Sequence, residues 1–277
     1  MGKKVLLSAD HLYKKFSKDL RQSMRHGIED IIRGSLGMHR DGRQLRSGEI
    51  FALKDINFHL NAHEILGITG VNGSGKTTLM RLISGIYEPD AGVVKGLPGL
   101  KVTAIFALGA GMQALFTGRE NIYIKGAMYG MSREEVDAKI PFIEDFSELG
   151  ERLDRPFGNY SSGMKARLSY SIAMATEPDV FIIDESLAVG DSAFKAKCLD
   201  NLREFADQPG KGVIFVSNQI RKILKIADRL LVMDHGAIIH ETKDIDAGLE
   251  FYIKNCYAHL GEDKQESKLQ KVKNYEL

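Results

Sequence analysis

Gly70-Val71-Asn72-Gly73-Ser74-Gly75-Lys76-Thr77-Thr78 is the stretch that decides the fold of this chain. It fits G-x-x-x-x-G-K-[ST], with the apolar run Glu64-Ile65-Leu66-Gly67-Ile68-Thr69 before it and Leu79-Met80-Arg81-Leu82-Ile83 after it. That is the strand, loop, helix setting in which a phosphate-binding loop works. Glycines at 70, 73 and 75 predict backbone with φ > 0 and several N–H groups turned toward phosphate. The N-terminal end of the following helix adds partial positive charge. Lys76 is placed to reach the terminal phosphates, and the Thr77 hydroxyl to take a position on Mg²⁺. Gly70, Asn72, Gly73, Ser74, Gly75, Lys76, Thr77 and Thr78 are therefore the candidate contacts to a nucleoside triphosphate.

A chain of 277 residues has room for one large domain or two small ones with an ample core. Its hydrophobic share of 43% and charged share of 27% are those of a soluble globular protein. A formal net charge of +1 gives no general reason to expect nucleic acid as a partner. No apolar run approaches the ~18 residues that span a bilayer, and no signal-peptide pattern opens the chain. The two cysteines, Cys198 and Cys256, lack metal-type spacing, so reduced thiols in the cytoplasm are expected. Any membrane role then comes through a partner.

Working outward, Val5-Leu6-Leu7-Ser8-Ala9 reads as a strand, and residues 17–49 as a basic, mostly polar insertion. Within the insertion Leu20, Met24, Ile28, Ile31 and Ile32 fall on one helical face, while Lys18, Arg21, Arg25 and Arg33 lie largely elsewhere. Phe51 to Leu60 alternates like a strand, and Tyr87-Glu88-Pro89-Asp90-Ala91-Gly92 reads as a turn leading into a short hairpin. Residues 107–177 are richer in helical signals. Thr117-Gly118-Arg119-Glu120-Asn121 looks like a helix start, and Met131-Ser132-Arg133-Glu134-Glu135 offers a Ser cap with an acid three residues on. Strand patterns return at 179–183, at 212–216, and at 229–233 with the turn Asp234-His235-Gly236. Strand and helix alternate outside the helical insert, so the fold class is α/β with a mostly parallel core sheet. The tail, 259–277, is charged and reads as a surface helix or disordered chain.

Val180-Phe181-Ile182-Ile183-Asp184-Glu185 is an apolar run ending in two acids. Burial accounts for the apolar part as a central strand but not for two carboxylates where ligands of open α/β sheets gather. Asp184 is placed to hold Mg²⁺ through its water shell, and Glu185 to orient or polarise an attacking water. Tyr160-Ser161-Ser162-Gly163-Met164-Lys165-Ala166-Arg167-Leu168 precedes that strand. A purely structural reading makes it a Ser-capped helix.

Together these segments resemble the nucleotide-binding subunit of ABC transporters, a P-loop NTPase with a mostly parallel sheet, an antiparallel β part and a helical subdomain. In that family a Leu-Ser-Gly-Gly-Gln-type signature caps the γ-phosphate of ATP held by the other subunit of a head-to-tail dimer. Ser161 stands at the matching Ser, Ser162 in place of the first Gly, Gly163 at the second, and Met164 in place of Gln. The resemblance implies that Leu187-Ala188-Val189-Gly190-Asp191 is the loop that communicates across the dimer, with Asp191 at its end. It also implies an aromatic stacked on adenine before the insertion: Phe16, with Tyr13 and Phe51 as rivals. Two departures stand out. Asn218 occupies the position where the family usually has a His against the γ-phosphate, and an amide donates but cannot carry that charge. The usual Mg²⁺-sensing Gln is not obvious in Leu108-Gly109-Ala110-Gly111-Met112-Gln113, where Gln113 falls off register.

The spellings at 160–164 and 187–191, with Thr117-Gly118-Arg119-Glu120-Asn121-Ile122 and Phe146-Ser147-Glu148-Leu149-Gly150, resemble one branch of the family. It comprises the ATPases of bacterial exporters of lipid-linked cell-surface polysaccharides, namely teichoic acid, O-antigen and capsule. The resemblance implies a homodimer clamping two ATP·Mg²⁺ and coupled to a polytopic membrane permease that handles the lipid-linked polysaccharide. The chain would then sit peripherally on the cytoplasmic face of the bacterial cell membrane. Residues 1–258 form the nucleotide-binding domain on this reading. The chain ends soon after its last helical pattern, so no C-terminal carbohydrate-binding β-sandwich of the kind some O-antigen members carry is expected. Two alternatives remain: a soluble ABC-type ATPase acting on nucleic acid or ribosomes, and, because of Asn218, a nucleotide-binding regulator with little hydrolysis.

Overall fold

A computed structural model describes residues 4–38, 41–106, 109–184, 192–257 and 261–273. Along the first half run β1 (Val5–Ser17), α1 (Leu20–Ser35), β2 (Glu49–Asn61), β3 (Glu64–Gly70), α2 (Lys76–Ile83), β4 (Ala91–Gly96) and β5 (Val102–Ile105). Then follow α3 (Gly118–Met128), α4 (Arg133–Ser147), two 3₁₀ turns (Gly150–Asp154 and Phe157–Asn159) and α5 (Ser162–Ala175). The chain continues through β6 (Val180–Asp184), α6 (Ser192–Asp207), β7 (Gly212–Val216), α7 (Ile220–Ile226), β8 (Arg229–Asp234), β9 (Ala237–Thr242), α8 (Ile245–Cys256) and α9 (Glu262–Lys273).

Six strands form one sheet in the order β5-β6-β7-β3-β8-β9, parallel except for β9. The period-2 alternation of each central strand divides its apolar side chains between two cores. Ile65, Phe181, Ile183, Val213, Phe215, Leu230 and Val232 face one side, where Phe194, Leu202 and Phe205 of α6 and Leu249 and Tyr252 of α8 cover them. Leu66, Ile68, Val180, Ile182, Ile214, Val216, Leu231 and Met233 face the other, packed on Leu79 and Met80 of α2 and on the second sheet. That sheet is antiparallel, in the order β2-β1-β4. A third cluster, including Ile122, Val136, Ile143, Leu168 and Ile172, holds α3, α4 and α5 together.

Both predicted helix starts are capping boxes. The Thr117 side chain accepts from the Glu120 N–H while the Glu120 carboxylate accepts from the Thr117 N–H. Ser132 and Glu135 repeat the arrangement. The β8–β9 hairpin also forms as expected. Other readings change. The first strand runs on to Ser17 through register shifts and a left-handed His11, because β2 and β4 pair on both its edges. The turn at 87–92 leads into no hairpin: β4 pairs with β1, and β5 crosses to the larger sheet beside β6. The tail, read as helix or disorder, carries α9.

Candidate nucleotide site

The phosphate-loop candidate leaves the carboxyl end of β3, whose seven residues are all buried, and enters α2 with Gly75 as N-cap. Gly73 and Gly75 take φ values of 82° and 102°, as the turn requires. Gly70 does not, which corrects the reading that all three glycines serve left-handed backbone. Its need is space: a Cβ there would lie 2.2 Å from the Met233 carbonyl oxygen and 2.5 Å from Ser74 Oγ. At Gly75 a Cβ would meet the Ala52 carbonyl oxygen at 2.6 Å, whereas at Gly73 it would point into open space. The loop is thus packed hard on its inner side and open on its outer side.

Bracing comes from far along the chain. Gly236, in the β8–β9 turn, donates its N–H to the Ser74 carbonyl at 3.1 Å and accepts from the Lys54 N–H at 2.8 Å. Ser74 is buried, and its own N–H closes a turn onto the Val71 carbonyl. Lys76 Nζ donates to the carbonyls of Gly70 at 2.8 Å and Val71 at 2.9 Å, so the ammonium lies over the loop. Asn72 and Thr77 are exposed, and Thr78 is half-buried.

Asp184 ends β6 and is half-buried. It pairs in register with Val216 of β7, which pairs with Ile68 of β3. Asp184 therefore emerges at the same sheet edge as the loop, two strand spacings (about 10 Å) across from β3. A hard cation held there through its water shell suits that separation. The Thr77 hydroxyl and the Asp184 carboxylate are both oxygen donors of the right kind. No cluster of three or more metal-ligating side chains exists among the described residues. From just beyond the intervening strand β7, Asn218 reaches toward the loop, its Nδ2 lying 3.5 Å from Asn72 Oδ1. Loop, strand-end acid and Asn218 converge on one edge of the sheet, the crevice where open α/β folds bind ligands.

The ABC transporter family model matches residues 53–188. Teichoic acids export ATP-binding protein TagH of Listeria monocytogenes serotype 4b (strain F2365) is 34% identical over 240 residues, 86% of this chain and 67% of that one. O-antigen export system ATP-binding protein RfbB of Klebsiella pneumoniae is 36% identical over 247 residues, 89% of this chain and 97% of that one. The chain belongs to the ABC transporter ATP-binding family. ABC transporter protein AbcA of Aeromonas salmonicida is 42% identical over 188 residues, and there the matched part spans 60% of the relative. Among solved structures, the dimeric post-hydrolysis ATP-binding cassette MJ0796, bound to ADP and Pi, superposes with a TM-score of 0.66. It covers 86% of this chain and 98% of that one at 20% identity. The cassette cbiO1 from Clostridium perfringens gives 0.65 over 96% and 99% at 17% identity. At such identities the likeness is one of fold.

In this ABC family chain the candidate signature opens α5. Ser161 is the N-cap, its Oγ accepting from the Met164 N–H at 3.2 Å, with Ser161 and Ser162 exposed and Gly163 half-buried. The cap uses the hydroxyl as acceptor and leaves its proton available to a ligand. Phe16 is exposed, edge-on to Tyr87 at 5.9 Å, and Arg81 of α2 donates to the Tyr87 hydroxyl. Its rivals Tyr13 and Phe51 are half-buried and pack edge-on to each other at 5.7 Å, leaving less face to offer a base. Glu185, Asp191 and the loop 187–191 lie outside the described residues.

Two contributors escaped sequence reading. Asn121 is fully buried and organises the segment before α3: its Oδ1 accepts from the Gln113 N–H at 2.7 Å, and its Nδ2 donates to the Gln113 and Thr117 carbonyls. Gln113 is thus held through its backbone, which leaves its exposed side chain to project. The available signal was an amide next to Ile122, on the side of α3 that is buried with it. The second is Gly236, marked only as the glycine of a predicted hairpin turn.

Proposed function

We propose that this chain is the ATPase subunit that powers export of a lipid-linked cell-surface polysaccharide through a separate membrane permease. One observation carries the reading: a phosphate-type loop braced by Gly236 and Ala52 opens beside the end of β6. Similarity to teichoic acid and O-antigen export ATP-binding proteins over most of the chain supports the cargo class.

In the proposed reaction the backbone N–H groups of 73–77 and Lys76 hold the β- and γ-phosphates of ATP, and Phe16 stacks on the base. Thr77 and Asp184 would hold Mg²⁺, which when bound offsets the charge developing on the transferred phosphoryl group. Glu185 accepts the proton of the attacking water, and Asn218 donates to the γ-phosphate side of the site. Ser161 of a second copy closes over the same phosphate, so ATP stabilises the dimer and hydrolysis releases it. That cycle, transmitted to a permease docked near the 107–177 helices, alternates the permease between its states. No described helix is long and apolar enough to cross a membrane.

Phosphate release by the purified chain with ATP and Mg²⁺ tests the enzymatic half. A deletion strain tests the cargo half, because loss of export leaves the lipid-linked polymer on the cytoplasmic side. Absence of phosphate release with and without a membrane partner would instead favour a nucleotide-dependent regulator.

A further inference from the structure

Helix α1 sits on the molecule with its amphipathic sides reversed. Leu20, Met24, Ile28, Ile31 and Ile32 form one continuous face at i, i+4 and i+3 spacing. Each is more than half exposed, and no residue of α1 is buried. The side turned to the protein is polar. His26 Nδ1 lies 3.4 Å from Glu49 Oε1, and the His26 carbonyl accepts from Arg46 Nη1 at 3.2 Å. Asp30 pairs with Arg46, and Gln22 lies against Gly48. Beneath, Lys15 and Arg46 flank a nearly buried Glu49 carboxylate. A helix merely solvated on a sheet would dock its apolar stripe and expose its polar one. Here a network of charges fixes the helix with the apolar stripe outward, and exposed Leu36 and Met38 extend the ridge.

Charge decides what this ridge suits. The insertion, 17–49, contains seven Lys and Arg against five Asp and Glu. All five acids are engaged locally: Asp19 and Asp41 accept from the Arg21 and Arg43 N–H groups, Glu29 pairs with Arg25, and Asp30 and Glu49 point into the docking network. Arg21 and Arg25, both exposed, border the apolar face, Arg25 within its surface pair with Glu29. A convex apolar ridge edged with guanidinium groups matches the boundary between acyl chains and anionic headgroups, where such helices lie in the plane of the interface. We infer that α1 lies in the interfacial layer of an anionic phospholipid bilayer, so that this chain holds the membrane through its own insertion as well as through any permease. The inference rests on α1 alone and stands or falls independently of nucleotide chemistry.

The test uses the full chain with sonicated vesicles of phosphatidylglycerol and phosphatidylethanolamine, and with vesicles of phosphatidylcholine. The parent chain is expected to co-sediment with the anionic vesicles, less so at high salt, and poorly with the neutral ones. Ile28→Glu/Ile31→Glu, on an already exposed face, is expected to reduce co-sedimentation by about tenfold or more with ATP turnover unchanged. Equal sedimentation of parent and double variant overturns the inference, as does equal binding to both vesicle types or to neither. A double variant that turns a lipid-free dimer into a monomer in light scattering overturns it too, in favour of a second copy as the occupant.

Discussion

Asn218 Nδ2 lies 3.5 Å from Asn72 Oδ1, so the residue two positions beyond β7 touches the candidate phosphate loop itself. At that length the contact is weak, and it sets a position more than it contributes energy. The amide is therefore poised over the candidate phosphate loop. Asn218→His should leave the Kd for ATP similar and maintain or raise phosphate-release turnover. Asn218→Ala should lower kcat by about tenfold or more if a donor to the phosphate is lost. A large drop on introducing His would show that the site is built around the amide.

Glu185→Gln keeps the shape and removes the proposed base. Turnover should fall by about a hundredfold or more while ATP binding persists. Light scattering should then find an ATP-stabilised dimer. Parental turnover in this variant would remove Glu185 from the mechanism.

The loop glycines should respond unequally. Gly75→Ala combines a φ of 102° with a Cβ 2.6 Å from the Ala52 carbonyl oxygen, so it should abolish ATP binding and lower the Tm. Gly73→Ala meets no atom within 4 Å. Its cost should be the left-handed backbone penalty, about 1–2 kcal/mol, in a thermal melt. Equal effects would contradict the packing described.

Ser161→Ala should cost about 1 kcal/mol through loss of the α5 cap. Ser161→Asp keeps a capping oxygen but adds negative charge where a γ-phosphate from a second copy would lie. Its melt should match the parent, and its ATP-dependent dimerisation should vanish. Dimerisation at the parent level would mean that this helix end meets no triphosphate.

At the amino-terminal ends of the neighbouring strands β3 and β8, Glu64 and Arg229, both buried, pair through two bonds of 2.8 and 3.1 Å. Arg229→Met strands the carboxylate and should destabilise by about 3–5 kcal/mol, with much of the loss recovered in Glu64→Leu/Arg229→Met. Burial pushes the Glu64 carboxyl up, but the Arg229 guanidinium and the Asn61 N–H together hold it below the usual range. A carboxyl depressed on folding contributes stability above its unfolded pKa and loses it as pH falls through the folded value. Parent stability should therefore decline below about pH 4, and a pH series of melts on the double variant should lack that part of the decline.

Local patterns were legible wherever the chemistry is local. The loop, the two capping boxes, the β8–β9 hairpin and the apolar face of α1 each depend on residues within one or two turns of chain, and each could be read directly. The partner of β4 could not, because its edge is chosen by β1 across more than seventy residues. The bracing of Ser74 by Gly236, the inward amide of Asn121 and the distance from Asn218 to Asn72 were equally hidden, being contacts made only once strands are stacked.

The amino-acid order alone determined that this chain carries a triphosphate-type loop on an α/β sheet, since glycine spacing, a following Lys-Thr and alternating apolar runs constrain the backbone locally. Tertiary structure alone decided which way α1 faces. An amphipathic pattern specifies a stripe but not its partner, and here Arg46 and Glu49 hold the polar side inward and leave the apolar side to the surroundings.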